Sequence, residues 1–148
     1  MSAQRELVIA QVSRVFPYPA ERVFAAWLDP QLARQFLFAT PGGEMIRAEV
    51  DPRVGGSFVF TDRRDGEDVE HVGEYLEIDP PRRLVFQYGI TGFNAPPDVV
   101  SVEFAHHPNG CELTLKHTMG AEYAEYQERT EKGWTMSLES LANTLTAE

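Results

Sequence analysis

Two polar residues stand where strand alternation expects apolar ones: Glu74, two before Leu76, and His117, at the end of Cys111, Leu113 and Leu115. A carboxyl turned into an apolar interior keeps its proton to higher pH, and an imidazole titrates near neutrality. Together they have the equipment for acid–base work on an enolisable or cyclising substrate. The plainer reading gives each a structural hydrogen bond or a place near a strand end in water. Other familiar chemistry has no matching pattern. His106 and His107 are adjacent, so on a strand they point to opposite faces and do not easily share one ion, and no metal site is expected. Cys111 is the single cysteine; without a disulfide partner or a neighbouring base it reads as a small core residue. Phosphate-cradling glycine loops, nucleophile elbows and HExxH helices are missing from the sequence, and no cofactor is implied.

The same alternation gathers an aromatic and aliphatic set around these two positions: Phe58, Phe60, Leu76, Phe86, Tyr88, Val102, Phe104, Leu113 and Leu115. Roofed by Trp134, with Phe36 and Phe38 at an opening, these residues would line a cavity for an apolar or ring-bearing ligand, of the roughly 300–1,000 Å³ usual for such sites. The competing expectation is that the rings fill the interior completely.

The elements that must position this set are legible from periodicity. Leu7 to Phe16 is β-branched-rich and reads as a strand ended by Pro17 and Pro19. Ala20 to Leu28 places Val23, Phe24 and Trp27 at helical spacing, Asp29-Pro30 breaks it, and Gln31 to Phe38 reads as a second short helix. Six further strands are expected at Met45–Val50, Ser57–Thr61, Val69–Ile78, Arg83–Tyr88, Val99–Ala105 and Cys111–His117. Asp65-Gly66 and Asn109-Gly110 are hairpin turns, and a loop with Gly89, Gly92, Asn94, Pro96 and Pro97 separates two of the strands. Ala121 to Leu145 is a long amphipathic helix, with Trp134, Leu138, Leu141 and Leu145 on one face. Its opposite face pairs Glu125 with Arg129 and Glu128 with Lys132. Gly133 interrupts it at a cost of about 1 kcal/mol of helix propensity, which implies close backbone approach or room left beside the helix.

Strands joined by short turns pair antiparallel, and one face of the resulting sheet is apolar while the other carries Gln87, Ser101, Glu103, Glu112, Thr114 and Lys116. The final helix is the natural cover for the apolar face. The fold class is therefore α+β: a curved antiparallel sheet of about seven strands wrapped on a long C-terminal helix, with two short helices after the first strand. The 148 residues, 43% apolar and 24% charged, are expected to form one domain, 1–148.

A net charge of −10 argues against nucleic acid or an anionic membrane surface as partner. No run approaches the roughly 18 apolar residues of a membrane span, and Met1 to Glu6 lacks the layout of a signal peptide, so cytoplasmic residence is expected.

Several stretches, in this order, resemble one family: Pro19-Ala20-Glu21-Arg22-Val23-Phe24-Ala25-Ala26-Trp27, Asp29-Pro30, Asp51-Pro52-Arg53-Val54-Gly55-Gly56-Ser57-Phe58, Gly73 to Pro81, Arg83-Leu84-Val85-Phe86 and Gly133-Trp134. They are similar to the activator of heat-shock-protein-90 ATPase homologue family. That family sits in the helix-grip superfamily (START-like, SRPBCC) with START lipid-transfer domains, polyketide cyclases and the birch-pollen allergen. One departure is Phe36-Leu37-Phe38, where members often carry tryptophan. The resemblance implies a deep apolar cavity between sheet and last helix, but no shared catalytic set. It also raises a chaperone as a partner, although the chaperone-activating members carry a separate N-terminal domain that these residues are not expected to contain. The expected function is binding of a small apolar ligand. The alternatives are a cyclase- or hydrolase-type enzyme using Glu74 or His117, and a co-chaperone-like interaction module.

Overall fold

The computed structural model describes residues 6–93 and 96–147. The signal-peptide reading of Met1 to Arg5 and the loop position Asn94 fall outside them. The chain runs β1 (Leu7–Phe16), α1 (Ala20–Leu28), α2 (Pro30–Ala33), β2 (Glu44–Val50), β3 (Ser57–Arg64), β4 (Glu67–Asp79), β5 (Arg83–Ile90), β6 (Asp98–His107) and β7 (Gly110–Gly120). A 3-10 turn at Ala121–Tyr126 then leads into α3 (Gln127–Thr146). The strands form one antiparallel sheet in the order β1-β7-β6-β5-β4-β3-β2. The Asp65-Gly66 turn closes the β3–β4 hairpin with positive φ at both residues, 50° and 81°, the backbone twist that two-residue hairpins favour. β1 returns to pair with β7, Leu7 opposite Gly120, so the first strand finds its partner only near the end of the chain.

One face of the sheet carries the core. Leu84, Phe86, Val100, Val102, Leu113 and Leu115 are all buried on it, and Trp134, Leu138, Leu141 and Leu145 of α3 close over them. Burying a side chain of this size stabilises by about 1.5–3 kcal/mol, which is why one apolar stripe suffices to hold the helix on the sheet. α3 also covers the exposed edge of β1: Gln127 donates to the Ile9 carbonyl at 2.9 Å, and Glu131 accepts from the Gln11 amide at 3.1 Å. An open strand edge is a template for unwanted pairing, and these two side chains occupy it. The other edge, β2, carries the Arg47–Glu49 ion pair. At the far end of α3 the Arg22 guanidinium donates to the Leu145 carbonyl at 2.6 Å, a cation where the helix dipole is negative.

The structure corrects several sequence expectations. Glu74 and Leu76 face outward, not into the core. Glu74 lies opposite Ser57 and Gln87 in register, so it shares their outer face, and the inward residues of this stretch are His71, Gly73 and Tyr75. Two features disguise the pattern. Gly73 has no side chain, because a Cβ there would collide with the Phe58 ring and the Gln87 carbonyl. A bulge between Tyr75 and Glu77 then reverses the alternation, leaving Leu76 39% exposed while Ile78 packs against the core.

The second helix stops at Ala33. Asp29 caps it by accepting from the Gln31 amide at 2.9 Å, but Phe36, Leu37 and Phe38 are all buried. Three consecutive residues on a helix fan over some 200° and cannot all face inward, so the chain unwinds to bury them. Phe36 is fully buried against Trp27, with ring centroids 5.1 Å apart, and guards no opening.

The last helix begins at Gln127 rather than Ala121. Residues 121–126 bury nothing and stay in a tighter turn that is non-helical at Tyr123. Glu125 therefore falls outside the α-helix in which Arg129 lies. Neither the Glu125–Arg129 nor the Glu128–Lys132 ion pair forms among the described residues, and the Arg129 guanidinium lies 5.6 Å from the centroid of the Tyr126 ring instead. β5 runs on to Ile90, so Gly89 belongs to a strand.

Candidate functional site

An open cleft of about 440 Å³ lies between the sheet and the N-terminal half of α3. Its ring-bearing wall is built by Phe38 from the loop after α2, Tyr88 from β5 and Trp134 from α3. Phe38 is packed 4.7 Å from Tyr88 and 6.0 Å from Trp134, centroid to centroid. Its φ of 60° is strained for an aromatic residue, and strain of this kind persists only where surrounding contacts enforce it. Arg64 at the end of β3 supplies one: it donates Nη2 to the Phe38 carbonyl at 3.1 Å and Nε to Asp62 at 2.7 Å. Asp62 is itself buried and accepts from Thr40 at 2.7 Å.

Beneath the rings runs a hydrogen-bonded chain. The Trp134 indole N–H donates to His117 Nδ1 at 2.9 Å, and His117 Nε2 lies 2.9 Å from an Asp98 carboxylate oxygen. An indole nitrogen can only donate, so Nδ1 carries no proton and Nε2–H donates to Asp98. Both imidazole nitrogens are thereby engaged within the protein. His117 is a bridge from the cover helix through β7 to the start of β6, where the Asp98 side chain is partly exposed.

His71 from β4 completes the floor, stacked on Phe38 at 4.4 Å with its Nδ1 3.4 Å from the Phe60 carbonyl. Burial, and secondarily the Arg64 charge, lowers its pKa to about 4, so it is neutral at physiological pH. Burial, and then the Asp98 carboxylate, raises the Tyr88 phenol and keeps it protonated.

The rim differs in character from the floor. Tyr126 and Arg129 are exposed there, and Gly133 opens the helix wall: a Cβ built on it meets nothing within 4 Å. Of the two reasons a glycine could interrupt this helix, room beside it is the one observed.

Among the residues the sequence pointed to, the fold brings Phe38, Tyr88, His117 and Trp134 to this cleft. Phe36, Phe58, Phe60, Phe86, Val102, Leu113 and Leu115 are packed core and do not border it. Phe104 packs edge-on against Phe24 at 5.2 Å and borders a different hollow. Glu74 and Leu76, on the outer face, do not meet His117, so the fold does not join the two candidates for acid–base work. Arg64, His71, Asp98 and Arg129 escaped the sequence reading. His71 shares its parity with Tyr75, which the expected alternation, with Glu74 and Leu76 inward, sets outward, and Asp98 at a strand start carries no local signal.

The hollow that Phe104 borders, about 680 Å³, lies at the opposite end between Pro17–Glu21 and the β6–β7 turn. It is larger, but it lacks the buried polar chain and strained aromatic that mark the cleft under α3. Among the described residues no group of three or more His, Cys, Asp or Glu could hold a metal ion, and no helix is long and apolar enough to cross a membrane.

Comparison with known proteins places these features in context. The sequence profile described as "Activator of Hsp90 ATPase homolog 1-like protein" matches residues 17–146. Among solved structures, protein CV1439 from Chromobacterium violaceum is 27% identical with a TM-score of 0.82, over 91% of this chain and 94% of that one. Protein SA2116 of unknown function from Staphylococcus aureus is 17% identical with a TM-score of 0.85, over 97% and 96%. The AHSA1-like protein from Aeromonas hydrophila is 20% identical with a TM-score of 0.78, over 95% and 93%. No curated protein matches the chain.

Proposed function

We propose that this chain, which belongs to the activator of Hsp90 ATPase homolog 1-like family, binds a small apolar or aromatic molecule in the cleft between its sheet and α3. The observation that carries the reading is the space left at Gly133 against a wall of three rings. A glycine in a helix interior costs stability, and here no neighbour requires it. It keeps open a volume in the range of small-ligand sites, walled by Phe38, Tyr88 and Trp134. Phe38 packs against Tyr88 and Trp134 at 4.7 and 6.0 Å, so the three rings form one continuous aromatic wall on which a flat ring can make offset or edge-on contacts.

Binding is a better reading than acid–base catalysis. Glu74 is on the wrong face, and both nitrogens of His117 are already committed. His117 therefore acts on the cleft by positioning Trp134 and Asp98.

The test is a plug. In Gly133→Phe the new ring fills the cleft from the exposed side of a helix that otherwise keeps its contacts. Native mass spectrometry of the wild-type protein should show a small molecule that co-purifies, or uptake of added 2-naphthamide with a change in tryptophan fluorescence. The folded variant should show neither. A wild-type protein that takes up no aromatic probe, or a plugged variant that binds as well as wild type, removes the proposal.

A further inference from the structure

We infer that the ligand of this cleft is an anionic aromatic molecule, oriented with its ring on Phe38, Tyr88 and Trp134 and its acidic group at Arg129 on the rim. The inference rests on the binding role proposed above and adds the ligand's charge and its direction of entry.

The chain has a net charge of −10, yet the rim of its cleft presents an uncompensated cation. The ionised side chains that line the cleft are Arg64, Asp98 and Arg129. Arg64 is neutralised by Asp62 at 2.7 Å and committed to the Phe38 carbonyl. Asp98 is bonded to a neutral imidazole. Arg129 forms no ion pair among the described residues: its expected partner Glu125 lies in the 3-10 turn, and its guanidinium rests over Tyr126. A guanidinium offers five donors, and stacking on a ring leaves them available to a carboxylate or sulfonate.

The order of charges through the cleft fixes direction. Asp98 is bonded to the buried His117 and is itself 31% exposed, so an anion placed on the His117 side of the cleft meets a carboxylate. Tyr126 is 42% exposed and Arg129 is exposed beside it, so an anion left at the mouth meets a cation. The molecule that satisfies both is apolar at its leading end and acidic at its trailing end. The Tyr126 ring, 5.6 Å from the guanidinium, favours this placement of the Arg129 charge at the mouth.

Two probes of nearly equal shape separate charge from ring: 2-naphthoate and 2-naphthamide, titrated by tryptophan fluorescence at pH 7.5 and low salt. Wild type should prefer naphthoate about fivefold or more, as a charge-assisted hydrogen bond at a partly exposed site provides. Arg129→Gln should remove that preference while leaving naphthamide affinity within twofold, Arg129→Lys should restore part of it, and Arg129→Glu should reverse it. Raising salt to 0.5 M should weaken naphthoate binding selectively. If both probes bind wild type equally, or Arg129→Gln leaves the preference intact, the anionic assignment is overturned while the binding role stands. If neither probe binds, the binding role fails and this inference falls with it.

Discussion

His71 shows how one buried side chain ties the site to the stability of the whole protein. The ring is 5% exposed, stacked on Phe38, and its pKa is held at about 4 against an ordinary 6.5, chiefly by burial. The unfolded chain therefore binds a proton through a range of pH in which the folded chain does not. The contribution is complete above pH 6.5 and is lost as pH falls toward 4, where the folded ring also protonates. With that shift the loss on going from pH 7 to pH 5 is about 2 kcal/mol. Urea unfolding at the two pH values should show this drop in wild type, and His71→Gln should lack that part of it. Equal pH dependence in the two proteins would mean that the ring is hydrated rather than buried. His117 illustrates a different residue-level point. A histidine on an apolar face invites a catalytic reading, but its partners decide what it does, and here an indole donor and a carboxylate acceptor take both nitrogens.

α3 is where the competing demands on one element are most visible. Its stripe of Trp134, Leu138, Leu141 and Leu145 is fully used by the core, its N-terminal side chains seal the edge of β1, and its C-terminus is held by Arg22. Gly133 is the position in α3 with the lowest helix propensity. Because a Cβ there meets nothing, Gly133→Ala should stabilise the protein by about 1 kcal/mol, raising Tm by about 2–4 °C for a domain of this size. Thermal unfolding by circular dichroism measures it directly. A lower Tm in the alanine variant would show that the backbone at Gly133 is under some constraint other than space. β4 carries the opposite lesson. Gly73 hides the inward parity it shares with His71 and Tyr75, and the bulge after Tyr75 brings Ile78 onto the core, so the strand reads wrongly by alternation yet packs correctly.

At the scale of the molecule, the first and last elements of the fold are built into one core. Trp27 of α1 and Trp134 of α3 belong to the same buried cluster, 6.4 Å apart, and β1 pairs with β7 rather than with a sequence neighbour. Unfolding should therefore be a single transition, with tryptophan fluorescence and far-ultraviolet circular dichroism giving coincident urea curves. Leu141→Ala, at a fully buried site, should shift both curves together by about 2–5 kcal/mol, whereas Met136→Ala, on the exposed face, should move them by less than about 0.5 kcal/mol. Separate transitions by the two probes would show that α3 detaches before the sheet melts.

The elements and their order follow from the sequence by itself, because strand alternation, hairpin dipeptides and the stripe of α3 are each written within a few neighbouring residues. The inward faces of β5, β6 and β7 follow for the same reason: Leu84, Phe86, Val100, Val102, Leu113 and Leu115 alternate without interruption. The site was legible only in part. Phe38, Tyr88, His117 and Trp134 announce themselves as rings on apolar faces. Arg64 and Asp62, the Asp98 carboxylate on His117, and an Arg129 left without its helical partner do not, since each depends on residues brought together from different elements. Tertiary structure alone decided which rings pack and which border open space. That distinction depends on a few ångströms of separation between α3 and the sheet, a distance no local pattern encodes.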